Sequence, residues 1–129
     1  MSRVLVIDDE TVVGTILRYA FDVDGHQTVV AGDGSTGIEM ARSEHPDVIV
    51  LDLMMPDVTG YDVLEVLRHD DETKELPIVV LTAVTMQRER ERCLSKGADA
   101  VLIKPFDPRE VAQAVGALLP PAASTASTA

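Results

Sequence analysis

Val48-Ile49-Val50-Leu51-Asp52-Leu53-Met54-Met55-Pro56 decides how this chain folds, because it runs four apolar residues straight into one carboxylate and stops at a proline. An apolar run this short between Pro46 and Pro56 reads as a strand covered on both faces, as in a parallel sheet flanked by helices. Asp52 then falls at the carboxyl edge of the sheet, where open α/β folds bind ligands.

The same design recurs upstream. Arg3 to Ile7 is an apolar strand ending in Asp8-Asp9-Glu10. Thr11 to Asp24 has apolar residues at helical spacing (Val13, Ile16, Leu17, Ala20, Phe21) and a stop at Gly25. A second strand is expected over Gln27 to Ala31, a turn at Gly32-Asp33-Gly34, and a short helix over Ile38 to Glu44. After Pro56, Thr59 with Asp62 three residues on reads as a capped helix start, and Val63, Leu64, Val66 and Leu67 form its apolar side. Ile78 to Leu81 is a fourth strand ending in Thr82, Met86 to Lys96 a charged helix, and Asp99 to Ile103 a fifth strand ending at Lys104-Pro105. Asp107-Pro108-Arg109-Glu110 starts the last helix, which runs to about Leu119. Five strands alternating with five helices predict a doubly wound parallel α/β sheet.

The chain has 129 residues, enough for one ordinary domain. The expected division is a domain over 1–119 and a Pro/Ala/Ser/Thr-rich linker or tail over 120–129. No apolar stretch approaches a membrane span and no secretory-type leader precedes the first strand, so a cytoplasmic protein is expected, with no membrane partner. Twenty-two acidic against 11 basic residues, a net charge of −11, oppose phosphate backbones, so no direct nucleic-acid contact is expected of this chain. Cys93 can form no internal disulfide and reads as a small buried hydrophobe.

If the first strand is central, the strand ends bring Asp8, Asp9, Asp52, Thr82 and Lys104 to one edge. Crowded carboxylates raise one another's pKa, and a hard divalent cation bound by oxygen is the usual remedy. Mg²⁺, with Mn²⁺ as a substitute, asks for only a carboxylate or two and leaves room for a phosphate oxygen. Lysine and threonine complete a cradle for a phosphoryl group. With no Ser-His pair or reactive Cys in this arrangement, the nucleophile is a carboxylate and the product an aspartyl-phosphate.

Asp8-Asp9 after the first strand, Asp52-Leu-Met-Met-Pro after the third, Thr82-Ala83 after the fourth and Lys104-Pro105-Phe106 after the fifth together resemble the receiver domain of two-component response regulators. The resemblance covers about Arg3 to Leu119. It implies a flavodoxin-like sheet in the order 2-1-3-4-5. It implies that Asp52 accepts phosphate from the phosphohistidine of a histidine kinase or a histidine phosphotransfer protein. Asp9 and Asp52 would ligate Mg²⁺ with the main-chain carbonyl of Met54, and Asp8 would act mainly through water. Lys104 would pair with a phosphate oxygen, Thr82 would move towards it, and Lys104-Pro105 would be a cis bond. A switched surface would then meet a downstream protein or a missing output domain, or support a phosphorylation-dependent homodimer.

Two positions depart from the pattern. Receivers usually carry Tyr or Phe three residues before the lysine, and this chain has Val101, so half of the usual switch pair is missing. Met54, two residues past Asp52, and Val84, two past Thr82, are both apolar and cannot orient a hydrolytic water, which predicts a long-lived phosphoryl state. The alternatives are a degenerate receiver that binds partners without phosphorylation, which Val101 encourages, and a haloacid dehalogenase-type phosphohydrolase. The latter would want an acid where Met54 stands. An aromatic content of 3% offers little for stacking on a flavin. Arg88, Arg92 and Lys96 form a basic stripe read as a solvated face, and His26, His45 and His69 share no ligand spacing.

Overall fold

The computed structural model describes residues 2–56, 58–83 and 87–119. Among them the order is β1 (Arg3–Ile7), α1 (Thr11–Val23), β2 (Gln27–Ala31), α2 (Gly34–Ser43), β3 (Val48–Asp52), α3 (Gly60–His69), β4 (Ile78–Thr82), α4 (Gln87–Ser95), β5 (Ala100–Ile103) and α5 (Pro108–Leu118). The strands form one parallel sheet in the order β2-β1-β3-β4-β5. Segment 120–129 and Met86 lie outside the described residues.

Every residue of β3 and β4 is buried, so side chains alternate between two cores, one on each face of the sheet. Leu5, Ile7, Ile49 and Leu51 point to the face covered by α2, α3 and α4, where they meet Ala41, Leu64, Leu67 and Cys93. Val4, Val6, Val48 and Val50 point to the other face, against Leu17 and Phe21 of α1 and Val111 and Val115 of α5. An unbroken apolar run is therefore what a doubly covered strand requires. Cys93 is wholly buried, and burial pushes its thiol pKa up.

Caps set the helix starts. Thr59 Oγ1 accepts from Asp62 N at 3.2 Å, and an Asp107 carboxylate oxygen accepts from Arg109 N at 2.9 Å, both at sites where the sequence marks a start. α2 begins at Gly34, four residues before the Ile38 start expected from apolar spacing. The reason is Asp33: it is no turn residue but the N-cap, extended at φ −157°, and accepts from Thr36 N at 2.8 Å. β5 begins one residue late, at Ala100; Asp99 before it meets Ile78 with backbone and side chain together, its N donating to Ile78 O and its carboxylate accepting from Ile78 N, each at 2.8 Å. At the far end of the sheet Arg68 donates to the carbonyls of Gly97, Lys74 and Leu76 and pairs with Asp99, tying α3 to the loops around β4 and β5.

Candidate active site at the carboxyl edge of the sheet

Parallel pairing in register carries the ends of β1, β3, β4 and β5 to one edge: Ile7 lies opposite Leu51, Asp52 opposite Leu81, and Thr82 opposite Ile103. Asp8 and Lys104 follow β1 and β5 directly. Asp8, Asp52 and Thr82 are each at most 3% exposed, although all three are polar. Lys104 Nζ stands among carboxylates, 3.3 Å from Asp8, 3.4 Å from Asp52 Oδ1 and 3.1 Å from Glu10. The Lys104–Pro105 peptide bond is cis.

The loop after β3 is pinned from two sides. Met54 N donates to Asp52 Oδ1 at 3.2 Å, and Gly60 N donates to Leu53 O at 2.8 Å. A Cβ on Gly60 would lie 2.5 Å from Leu53 Cα and 2.7 Å from Asp52 O, so only glycine lets the start of α3 press against the end of β3. Met54 itself is 61% exposed at the rim of the site. Val84 lies outside the described residues.

Electrostatics follow from burial. Desolvation first and the neighbouring Asp8 charge second raise the Asp52 pKa, the Lys104 ammonium and the Met54 N–H oppose them, and the net result is a rise from 3.8 to about 6. Asp8 is also raised, again chiefly by burial, although the Glu10 N–H and Lys104 pull it down. Lys104 is raised on balance: desolvation opposes its charge, and the pairing with Glu10, Asp52 and Asp8 outweighs it. One ammonium thus neutralises a third of the surrounding carboxylate charge.

Asp8, Glu10 and Asp52 each place a carboxylate oxygen within 4.8 Å of the others. Hard oxygen donors at this spacing suit a cation of the Mg²⁺ class. Asp9 is exposed and does not belong to that trio. Glu10 does, and it carried no assignment in the sequence; the available signal was a third acid directly after the β1 acids, at a helix start with no Ser, Thr or Asp to cap it. No histidine joins the cluster among the described residues.

A family model for the response regulator receiver domain matches residues 4–116. The chain belongs to that family. Among its relatives is the probable transcriptional regulatory protein TcrX of Mycobacterium tuberculosis, 43% identical over 116 residues, which cover 90% of this chain and 49% of TcrX. The receiver spans about half the length of the curated relatives it matches. The chemotaxis protein CheY4 of Vibrio cholerae superposes with a TM-score of 0.86 at 28% identity, over 92% of this chain and 99% of CheY4. The receiver domain of the sensor histidine kinase PA1611 from Pseudomonas aeruginosa, solved with a magnesium ion coordinated in its active-site cleft, superposes with a TM-score of 0.81 at 26% identity, over 91% of this chain and 96% of that one.

Val101, where the sequence lacks the family's usual aromatic, is 2% exposed and packs in the core on the α4 side of the sheet. Arg90 of α4 donates to its carbonyl at 3.1 Å. Arg88 and Arg92 of the basic stripe are both exposed, and the Arg92 guanidinium in addition lies 4.0 Å above the Tyr61 ring. Tyr61 OH in turn donates to Glu89, which joins α3 to α4.

Proposed function

We propose that this receiver is a phosphoacceptor switch in which Asp52 takes the phosphoryl group of a phosphohistidine on a histidine kinase or phosphotransfer protein. The observation that carries this reading is the convergence of a buried Asp52, held by Met54 N and Lys104 on Oδ1, with a second buried acid and the Thr82 hydroxyl at the same edge. With Oδ1 so occupied, Oδ2 is the attacking atom. A bond forms from Oδ2 to phosphorus, the phosphorus–nitrogen bond of the donor breaks, and its electron pair returns to the imidazole. Lys104 meets the transferred oxygens with a positive charge, and Thr82 offers a hydroxyl donor from the end of β4.

Asp52, and Asp9 once its exposed side chain turns inward, would hold a divalent metal with the Met54 carbonyl, Asp8 acting through water; Asp8 and Asp52 already place carboxylate oxygens within 4.8 Å of each other. Magnesium in that place supplies neutralisation of the phosphoryl oxygens, in keeping with the ion in the PA1611 receiver. The chain's own catalysis then extends only to its phosphorylation and dephosphorylation. The receiver unit spans 1–119, with 120–129 as a linker or tail, and its partner downstream is a separate protein or an output domain; relatives about twice its length include transcriptional regulators. The net charge of −11 sets this receiver itself against direct contact with DNA. No helix among the described residues is long and apolar enough to cross a membrane, which agrees with a cytoplasmic setting.

Intact mass after incubation with acetyl phosphate, with and without Mg²⁺, tests the proposal. A Mg²⁺-dependent gain of one phosphoryl group in wild type, lost in Asp52→Asn, is expected. No gain, with a phosphohistidine donor failing as well, would move the assignment to a phosphorylation-independent binding module.

A further inference from the structure

Glu10 stands at the N-cap of α1, where a Ser, Thr or Asp side chain would turn back to a backbone N–H of the first turn. Its own side chain makes no such bond. The carboxylate reaches across the site instead, and its 3.1 Å contact is the shortest that Lys104 Nζ makes with the three acids, against 3.3 Å to Asp8 and 3.4 Å to Asp52. Of the three donors an ammonium has, hydrogen bonds to Glu10 and Asp8 take two, and Asp52 stands beside them as an ion-pair partner. Two of the acids are fixed in place by burial, Asp8 also accepting from Glu10 N at 2.8 Å. The third is free to leave, because the Glu10 side chain is 58% exposed on a flexible stem.

We propose that Glu10 is a positioning residue that holds Lys104 in the resting site and surrenders it when a phosphoryl group arrives on Asp52. The idea rests on the phosphoacceptor reading above. Glu10 and the incoming phosphoryl oxygens compete for one ammonium, and Glu10 is the competitor with the least to hold it, since its charge is already well solvated. Glu10→Gln keeps the shape and removes the charge. Lys104 then has a donor in hand, and phosphorylation speeds up by the factor that a weak, partly exposed ion pair represents, about two- to fivefold.

Two measurements separate this role from direct metal ligation by Glu10, the other use its position allows. The first is made without metal. Lys74, Lys96 and Lys104 are the chain's lysines, so a ¹³C-lysine-labelled chain gives one ε-methylene cross-peak for each, with Lys104 assigned through Lys104→Arg. In Glu10→Gln the Lys104 cross-peak should move while those of Lys74 and Lys96 stay. The second is the rate of phosphorylation by acetyl phosphate at saturating Mg²⁺, with Mg²⁺ affinity followed by calorimetry. A faster rate, with Kd for Mg²⁺ within about threefold of wild type, supports the proposal. An unmoved Lys104 cross-peak overturns it, and so does a tenfold or greater loss of Mg²⁺ affinity with slower phosphorylation, which would make Glu10 a metal ligand. A wild-type chain that takes no phosphoryl group would instead overturn the phosphoacceptor reading, and the metal-free spectra would still decide whether Glu10 holds Lys104.

Discussion

Asp52→Asn should make the metal-free receiver more stable, although it removes the residue on which the site depends. Burial and the Asp8 charge lift the Asp52 pKa from 3.8 to about 6, with the help of Lys104 already included. The native state therefore binds the proton more tightly than the unfolded chain, and ionising Asp52 works against folding. The sign follows: this contribution to stability falls as pH rises from about 4 to about 6 and is level above that. At pH 7.5 the ionised carboxylate costs the native state about 3 kcal/mol, and at pH 4.5 about 1 kcal/mol. Asparagine is neutral, nearly isosteric, and can still accept from Met54 N, while Lys104 keeps Asp8 and Glu10. Denaturant titration in EDTA should show Asp52→Asn more stable than wild type by about 2 to 3 kcal/mol at pH 7.5, equivalent to roughly 10 °C in Tm for a domain of this size. The gap should shrink towards 1 kcal/mol at pH 4.5. Saturating Mg²⁺ should close much of it at pH 7.5, since a ligand at 100 times its Kd adds about 3 kcal/mol to the form that binds it. A variant no more stable than wild type in EDTA at pH 7.5, or one whose advantage does not change with pH, would refute this account of the site.

Gly60→Ala places a Cβ against the backbone of Leu53 and Asp52; a loss of about 1 to 3 kcal/mol is expected, with slower phosphorylation, and a variant matching wild type in both would show that the β3–α3 loop can give way freely. Arg68→Met strips the donors from the Gly97, Lys74 and Leu76 carbonyls and from Asp99 and should cost about 2 to 4 kcal/mol by chemical denaturation, most of which Arg68→Lys should fail to recover because a lysine cannot fork to several acceptors. Replacing Met54 with Asn, or Val84 with Glu, should shorten the lifetime of the phosphoryl group by supplying a polar group that can orient water; intact-mass decay curves that overlay wild type would count against a water-limited lifetime.

Much of this protein is written locally. Apolar runs ending at Asp8, Asp52 and Thr82 announce strands covered on both faces and mark which end of each faces the ligand edge, because a strand buried on both sides keeps its polar side chain for its end; the run before Lys104 belongs to the half-buried edge strand β5. Thr59 and Asp107 announce their helices because a cap is a contact between near neighbours in sequence. Where a second element supplies the reason, local reading fell short. The start of α2 is hidden for a local reason instead, since its first turn has no apolar spacing and the Asp33 cap reads equally as a turn; Gly37 in that turn answers to another element, because a Cβ would come within 2.6 Å of the Ile7 side chain on β1. Asp99 is one residue outside β5, and only the fold shows that its side chain serves Ile78 N and Arg68. The carboxylate of Glu10 is an ordinary solvated acid until β5, 94 residues away in sequence, delivers Lys104 to it. The sequence alone determined which residues end the strands, since that depends on hydrophobic run length. Only the tertiary structure decided which of them share one ammonium, since that depends on strand order and register, and a charge interaction acts through space without regard to separation along the chain.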